Sequence, residues 1–269
     1  MKERRTSYLF KLLSALTVFS TILVGVSYGQ KGSLSNLVVK RYKVKVLEVL
    51  PHDVNSYTQG LFFYNDNLYE STGLKGSSSF RKIDIKTGKP IKSISFPDEY
   101  FAEGSTVLGD KLFVLTWQNR VVFVYDIKTL KQIATLFNPK EGWGLTTDGK
   151  QLIMSDGSSS IFFIDPDNFK ELSKIDVKLN GKSIDQLNEL EFINGEIWAN
   201  VYQSDTIVVI DPKTGNVKSI IDCRNLLPRN LRTIDTDVLN GIAYNPVSKQ
   251  IFLTGKLWPK MYRIQLVNQ

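Results

Sequence analysis

A short pattern of strands and turns recurs five times along residues 57–266 of this 269-residue chain. Each copy starts with a polar or aromatic residue, followed in four of the five copies by glycine, and continues through a tight turn into further apolar runs. The copies begin at Gln59, Glu103, Trp143, Asn188 and Asn240, with starts 44, 40, 45 and 52 residues apart. Repeats of this length built from short strands are typical of β-propellers, in which each repeat forms one blade.

Residues 187–217 show the repeating unit most completely. Two apolar runs, 187–192 and 196–203, flank the dipeptide Asn194-Gly195. Asn-Gly between such runs is the strongest short hairpin pattern, because both turn residues adopt positive φ. A third run at 206–210 and a turn at 211–215 precede a fourth strand. We therefore predict four antiparallel strands in each blade.

The fifth copy lacks an outermost strand, and the alternating residues 42–50 can supply it from the other end of the chain. The predicted fold is thus all-β, a five-bladed β-propeller with four-stranded antiparallel blades, closed by an N-terminal strand and comprising residues 42–269. Closure in this way leaves no exposed sheet edge. Residues 223–236 lengthen the last interval, between the fourth and fifth copies, and are predicted to form a loop or a short helix. Two separate β domains are the alternative, but they would not explain the regular spacing.

The first 29 residues resemble a secretory signal peptide. A basic start precedes an apolar segment at 12–26 and a small-residue exit. An apolar segment of about 15 residues is short for a membrane span, which needs about 20, although an uncleaved anchor is the competing interpretation. Residues 30–41 form a predicted linker. We expect a periplasmic or extracellular protein, and cleavage after Gly29 would expose Gln30.

Composition excludes several classes of site. The net charge is +7, but the first thirty residues contribute +3 of it, and the other lysines are scattered through turns. A nucleic-acid surface is therefore not expected. The single histidine, His52, and the single cysteine, Cys223, exclude an internal disulfide, most metal sites and histidine-dependent triads. No cofactor and no metal are predicted. His52 is expected to be a turn or packing residue, Cys223 to be buried and inert, and Asp235 with Asp237 to be a weak cation candidate.

Alignment of the copies predicts one pocket at a mouth of the central channel. The five residues that begin the repeats should ring this mouth, because the first strand of each blade lines the channel. The second strands end at Glu70, Trp117, Ser155, Tyr202 and Lys256, which should form a second ring. The predicted pocket comprises Gln59, Glu103, Trp117, Trp143, Asn188, Tyr202, Asn240 and Lys256. The alternative is that the amides satisfy buried backbone groups and the aromatic residues fill space between blades.

Several motifs in order resemble the plant and bacterial glutaminyl-peptide cyclotransferase family, whose members are five-bladed propellers. The resemblance covers roughly residues 46–266. It is carried by YTQGL at 57–61, EGS at 103–105, EGWGLT at 141–146, LNELE at 187–191 with IWAN at 197–200, and LNGIA at 239–243 with TGKLWP at 254–259. The pocket residues of the family fall on Gln59, Glu103, Trp117, Trp143, Asn188 and Lys256. Tyr202 departs from the plant enzymes, which carry a third tryptophan there.

The resemblance implies an enzyme that converts the N-terminal glutamine of peptides and exported proteins to pyroglutamate with release of ammonia. Glu103 would then transfer the protons, and burial among aromatic rings would raise its pKa. Trp117, Trp143 and Tyr202 would pack around the glutamine side chain. The expected partners are peptides with N-terminal glutamine, with membrane contact only through an uncleaved N-terminal segment, and the protein is expected to be a monomer.

Two other functions remain open from the residues alone. A propeller of the cell envelope could bind a peptide N-terminus in this pocket without reacting it, although binding alone does not require the carboxyl group of Glu103. A hydrolase or lyase acting on sugars would normally need two opposed carboxylates. Glu70 is the obvious second carboxylate for that chemistry.

Overall fold

Antiparallel strands make up most of residues 38–269, the part of the chain that the computed structural model describes. The predicted signal peptide and residues 30–37 of the predicted linker lie outside the described residues. Within 38–269, no helix has the length and apolar character needed to cross a membrane. The strands before and in the first two sheets are β1 (Lys40–Pro51), β2 (Thr58–Tyr64), β3 (Asn67–Thr72), β4 (Ser79–Asp84), β5 (Lys89–Ser95), β6 (Ala102–Leu108), β7 (Lys111–Thr116), β8 (Val121–Asp126) and β9 (Gln132–Phe137).

The remaining strands complete three further sheets and one small hairpin. They are β10 (Leu145–Thr147), β11 (Leu152–Ser155), β12 (Ser160–Ile164), β13 (Glu171–Asp176), β14 (Lys178–Leu179), β15 (Lys182–Ser183), β16 (Leu187–Ile193), β17 (Glu196–Val201), β18 (Thr206–Ile210), β19 (Val217–Asp222), β20 (Leu239–Asn245), β21 (Gln250–Gly255) and β22 (Lys260–Asn268). A 3-10 turn at Arg229–Leu231 lies in the loop before β20, which agrees with the loop or short helix predicted for residues 223–236.

The five repeats are the five blades of a propeller. Blades 1, 2 and 3 are the sheets β2–β5, β6–β9 and β10–β13, and blade 4 is β16–β19. Blade 5 consists of β20, β21 and β22 with β1 as its outermost strand, paired antiparallel from Tyr42 opposite Asn268 to Pro51 opposite Lys260. Ring closure by the N-terminal strand is therefore confirmed. The beginning of β1 also pairs in parallel with β19, from Lys40 opposite Ser219 to Lys43 opposite Asp222, so blades 4 and 5 form one eight-stranded sheet.

Turn chemistry fixes the register within the blades. Asn194 and Gly195 adopt φ values of 51° and 84°, and Ile193 pairs with Glu196, as the Asn-Gly dipeptide predicts. Asn65 and Asp66 do the same between β2 and β3, with φ values of 48° and 57°. Asn and Asp tolerate this conformation better than other residues with a Cβ atom.

The hydrophobic core lies between neighbouring blades. Leu115 of blade 2 packs with Leu152 and Met154 of blade 3, and all three are buried. The seam between blades 5 and 1 is built in the same way, with Phe252 against Leu61. Each strand of a blade thus presents alternate side chains to the blade before it and the blade after it.

Glycines allow the inner strands to approach one another at the axis. A Cβ atom on Gly60 would lie 2.7 Å from the backbone nitrogen of Ser105 in the next blade, and one on Gly104 would lie 2.5 Å from that of Leu145. At Gly144 the added atom would overlap the backbone carbonyl of Asn188. Blades 1 to 4 are therefore packed backbone to backbone around the channel.

Blade 4 carries a buried glutamate where the other blades carry this glycine. Glu189 accepts hydrogen bonds from the backbone N–H of Leu61 at 3.3 Å and of Ile242 at 2.8 Å, so its carboxyl group connects blades 1 and 5. Glu191 accepts from the Tyr244 N–H at 2.9 Å and from the Thr146 hydroxyl at 3.3 Å. Burial raises the pKa of Glu191 to about 8 and raises that of Glu189 well above its usual range, with Glu191 adding to the effect.

The free energy of unfolding is expected to fall as pH rises from about 5 to about 8. Folded Glu191 keeps its proton up to about pH 8, whereas the unfolded chain releases it near the ordinary value of 4.5, so the folded state binds more protons in this range. Glu191→Gln keeps a neutral side chain that can still accept and donate hydrogen bonds, and it should reduce this loss. Urea unfolding at pH values of about 5, 7 and 9 measures the effect. The exposed Glu99→Gln variant serves as the control, and an equal pH dependence in all three proteins would contradict the assignment.

Candidate active site

The first strands of four blades contain a β-bulge at the residue that begins the repeat. The pairing register shifts between Thr58 and Gly60 in β2, Ala102 and Ser105 in β6, Leu187 and Leu190 in β16, and Leu239 and Ile242 in β20. A bulge removes a residue from the regular ladder and redirects its side chain. The bulges therefore take Gln59, Glu103, Asn188 and Asn240 out of the alternation between blade faces.

A pocket of about 210 Å³ opens where these first strands begin and the second strands end. Its lining comprises Tyr57, Gln59, Phe101, Glu103, Trp117, Trp143, Asn188, Tyr202 and Lys256. The four polar side chains are at most 6% exposed and form its floor. The five aromatic side chains are partly exposed and form what we call the aromatic rim.

Neighbouring rings of the aromatic rim contact each other edge to face. Phe101 lies 6.1 Å from Tyr57 and 5.7 Å from Trp117, measured between ring centroids. Trp143 and Tyr202 are 5.7 Å apart with an interplanar angle of 85°. The Lys256 ammonium lies between the two tyrosines, 4.8 Å from the centroid of Tyr57 and 5.1 Å from that of Tyr202. These separations are favourable for aromatic pairs and for cation–π contacts.

One carboxylate links the two tryptophans of the rim. Glu141 Oε2 accepts hydrogen bonds from Trp117 Nε1 at 2.8 Å and from Trp143 Nε1 at 3.2 Å. Its other oxygen accepts from Gln118 Nε2 at 3.1 Å. Partial burial alone would raise the pKa of Glu141, but these hydrogen bonds hold it below the ordinary value. The group is thus ionised and fixes both indole rings.

Glu103 is the buried carboxyl group of the pocket floor. Burial raises its pKa well above the ordinary value, the Lys256 ammonium opposes this shift, and the Glu141 carboxylate adds to it. Its Oε1 accepts a hydrogen bond from Gln59 Nε2 at 3.2 Å. A buried carboxyl group with a raised pKa beside a charged partner is a candidate for proton transfer in a reaction.

A chain of amides orients Gln59. Asn240 Nδ2 donates to Gln59 Oε1 at 3.3 Å and to the Thr58 carbonyl at 2.9 Å. This fixes the Gln59 amide so that its NH₂ group faces Glu103. Asn240 itself is fully buried and does not line the pocket, so any effect it has on a bound molecule passes through Gln59.

Asn188 brings an unpaired polar atom to the floor. Its backbone carbonyl accepts from the Ser155 hydroxyl at 2.7 Å, which holds the start of β16. Its side-chain Oδ1 is buried and has no hydrogen-bond partner among residues 38–269. Since leaving a buried acceptor unpaired is costly, this oxygen is suited to accept a hydrogen bond from a bound molecule.

The sequence model of the family described as glutamine cyclotransferase matches residues 18–266. The chain belongs to this family. It is 44% identical over 247 residues to a glutaminyl-peptide cyclotransferase of Arabidopsis thaliana, covering 89% of this chain and 77% of that protein. A crystal structure of Myxococcus xanthus glutaminyl cyclase superposes with a TM-score of 0.80 at 34% identity, covering 86% of this chain and 99% of the other.

The six residues that the resemblance assigns to the pocket all line it, namely Gln59, Glu103, Trp117, Trp143, Asn188 and Lys256. Tyr202 also lines the pocket and contacts the Lys256 ammonium. Seven of the eight predicted pocket residues therefore come together. Asn240 is the exception.

The second ring expected around the mouth is only partly formed. Glu70 does not line the pocket, because three donors hold its carboxylate at the seam between blades 5 and 1. They are His52 Nε2 at 3.0 Å, Ser56 Oγ at 3.0 Å and Thr58 Oγ1 at 2.7 Å. Ser155 is fully buried and bonded to blade 4. His52 also contacts the Trp258 carbonyl through Nδ1 at 2.7 Å, so it is a buried structural residue, as the sequence predicts.

Three residues of the site were not predicted from the sequence, namely Tyr57, Phe101 and Glu141. Phe101 and Glu141 lie in the segments before the repeats begin, where alignment of the copies gives no matching positions. Tyr57 belongs to the YTQGL motif, and it is fixed by a 2.6 Å hydrogen bond from its hydroxyl to Asp237.

The carboxylate of Asp237, which the sequence offers as a weak cation candidate, is engaged in this bond. Residues 38–269 contain no group of three or more His, Cys, Asp or Glu side chains arranged to hold a metal ion. Cys223 is buried, as predicted, and burial raises the pKa of its thiol.

Proposed function

We propose that this protein is a glutaminyl-peptide cyclotransferase acting on the N-terminal glutamine of peptides. The α-amino nitrogen of the glutamine attacks the carbon of its own γ-carboxamide. A lactam C–N bond forms, the bond to the amide nitrogen breaks, and ammonia leaves. The proposal rests on the buried Glu103 carboxyl group inside the aromatic rim, in a chain that belongs to the glutamine cyclotransferase family.

The aromatic rim supplies proximity. Cyclisation needs the amine and the carboxamide of one flexible side chain to be held together, and such positioning can lower a barrier by several kcal/mol. Trp117 and Trp143, fixed by Glu141, form one wall, and Tyr202 continues it. Flat walls at fixed angles favour the folded conformation of the glutamine over its extended ones.

Glu103 transfers the protons. As the nitrogen attacks, its excess proton passes to the Glu103 carboxylate, and Glu103 then returns a proton to the departing nitrogen. One group can serve both steps because its raised pKa is closer to those of the groups with which it exchanges protons.

The floor stabilises the oxyanion of the tetrahedral intermediate. Gln59 Nε2 keeps one N–H free after donating to Glu103, and Lys256 also lines the pocket floor. Burial lowers the pKa of Lys256, an effect that Glu103 and Asp237 oppose. Asn188 Oδ1 is available to accept from an N–H of the substrate. Donors fixed in advance around a developing negative charge are a large source of catalysis.

Two charges act on Glu103, those of Lys256 and Glu141. Removing one or the other should shift the pH profile of kcat in opposite directions. The acid limb of kcat reports ionisation of Glu103 in the complex. Lys256→Met removes a charge that lowers the pKa of Glu103, so the limb should move to higher pH. Glu141→Gln removes a charge that raises it, so the limb should move to lower pH. Shifts of the same sign in both variants, measured by ammonia release, would show that another group controls the profile.

The function is tested by incubating a peptide that begins with glutamine and measuring its mass. A decrease equal to one ammonia, with release of free ammonia at the same rate, is the expected result. An unchanged peptide that nevertheless binds the protein would favour a non-catalytic peptide-binding propeller instead. A hydrolase acting on sugars is less well supported, since Glu70 is engaged by His52 away from the pocket.

We also propose that the enzyme is exported and acts as a monomer on secreted or periplasmic proteins. The proposal is motivated by the signal-peptide pattern of residues 1–29. Its own mature N-terminus would be Gln30, a potential substrate. Intact-mass measurement of the mature chain tests both the cleavage point and the cyclisation of Gln30.

A further inference from the structure

A second cavity of about 240 Å³ lies beside the pocket. We call it the side cavity, and it is lined by Gln203, Ser204, Asp205, Arg232, Thr236, Asp237, Val238 and Leu239. Water occupies about 30 Å³ per molecule, so this volume exceeds the space of a single structural water several times. Its lining is mostly polar, in contrast to the aromatic rim.

The side cavity and the pocket share a wall. Tyr202 faces the pocket, and the next three residues face the side cavity. On the opposite side, Lys256 of the pocket exchanges backbone hydrogen bonds with Asp237 at 3.1 Å and Val238 at 2.9 Å. Both cavities lie where second strands end and first strands begin, so they belong to the same face of the propeller. A peptide whose first residue fills the pocket must continue over this face.

The long segment that precedes β20 forms the outer wall of the side cavity. This segment makes the interval between the fourth and fifth copies the longest, and it is anchored by the buried side chains of Cys223, Leu226 and Leu227. Its Arg232 guanidinium lies 6.0 Å from the Trp258 ring. Loop insertions on the binding face of a scaffold commonly carry specificity.

Two charged side chains of the side cavity leave their hydrogen-bonding groups unused within residues 38–269. Neither the Arg232 guanidinium nor the Asp205 carboxylate forms a side-chain hydrogen bond or an ion pair there, whereas Asp237 is occupied by the Tyr57 hydroxyl and the Val238 N–H. A guanidinium only donates hydrogen bonds and a carboxylate only accepts them. An extended peptide offers carbonyl and N–H groups in alternation, which matches this pair.

We propose that the side cavity is a subsite for the main chain that follows the substrate's N-terminal glutamine, which deepens the proposed function and rests on it. Arg232 donates to a peptide carbonyl oxygen, and Asp205 accepts from a peptide N–H. The subsite recognises the backbone and not a particular side chain. It therefore distinguishes a peptide from glutamine amide, which ends before reaching it.

The test compares two substrates of different length that both lack a C-terminal carboxylate, glutamine amide and the amide of Gln-Ala-Ala. Wild-type enzyme is expected to have the higher kcat/KM on the tripeptide. Arg232→Ala should lower kcat/KM for the tripeptide by about tenfold or more, the range for hydrogen bonds to charged groups, and leave that for glutamine amide unchanged. Asp205→Asn should act in the same direction. Arg229→Ala, on the same segment but outside the side cavity, is the matched control and should change neither value.

The possible results distinguish failure of the subsite proposal from failure of the proposed cyclotransferase function. An equal loss on both substrates, or no loss on the tripeptide, would overturn the subsite and leave the cyclotransferase assignment standing. Turnover of neither substrate by the wild type would remove the proposed function and the subsite with it. Turnover of glutamine amide by each variant also reports that the protein has folded.

Discussion

Glu103→Gln is expected to lower kcat for ammonia release from a glutamine-initiated peptide by two to four orders of magnitude, the usual contribution of a positioned acid or base. The change preserves the shape of the side chain and an acceptor for the Gln59 amide, so the pocket should keep its structure. Only the transferable proton is lost. Steady-state assay over a range of pH values measures the effect, and substrate binding should persist.

The control for this variant is Glu191→Gln, because Glu191 is another buried glutamate of the propeller but does not line the pocket. Its activity should stay within a few-fold of the wild type. Thermal unfolding of both variants checks that they fold. Turnover at the wild-type rate by Glu103→Gln would exclude Glu103 as the proton-transfer group. Lys256 would then be the next candidate for that role.

Gly144→Ala is expected to lower the free energy of unfolding by at least about 3 kcal/mol, the upper range for insertion of a methyl group into a packed interior. The new Cβ would overlap the carbonyl oxygen of Asn188 and lie 2.9 Å from its carbonyl carbon. Backbone atoms of a neighbouring strand cannot yield as the end of a side chain can, so blades 3 and 4 must separate. A decrease of about 6–12 °C in Tm is the measurable consequence for a domain of this size.

The same substitution should also impair activity in whatever protein remains folded, because displacement of the Asn188 backbone moves its side chain in the pocket floor. Gly149→Ala provides the comparison. Gly149 lies in a turn with φ of 87° and no atoms within 4 Å of an added Cβ, so it should cost only about 1–2 kcal/mol and leave kcat unchanged. Equal losses of stability at the two positions would show that the blades can move apart freely.

The sequence predicts the blades and most of the pocket because the repeats are regular. Asn-Gly and Asn-Asp turns fix hairpins locally, and the glycine beside each starting residue indicates close packing at the axis. Once five blades are assumed, symmetry brings Gln59, Glu103 and Asn188 to one mouth without any knowledge of the contacts between them.

Features that break the repeat could not be predicted in this way. The bulges in β2, β6, β16 and β20 depend on pairing with a neighbouring strand, and they decide which way a side chain points. Asn240 lies behind Gln59 and Glu70 points to the His52 seam, although both occupy positions equivalent to pocket residues. Glu141 is not part of any repeated position, and its role follows only from the placement of two indole N–H groups around one oxygen.

The pairing of β1 has a consequence for the order in which the molecule assembles. This strand leaves the ribosome before any blade, yet its partners Ser219–Asp222 and Lys260–Asn268 are synthesised only after blades 1 to 3. Hairpins within blades 1 to 3 can form as they emerge, since their contacts are local, whereas pairing of such distant segments is slow and carries a large loop-closure cost. We therefore expect the ring to close late, after β22 has been translated and can pair with β1.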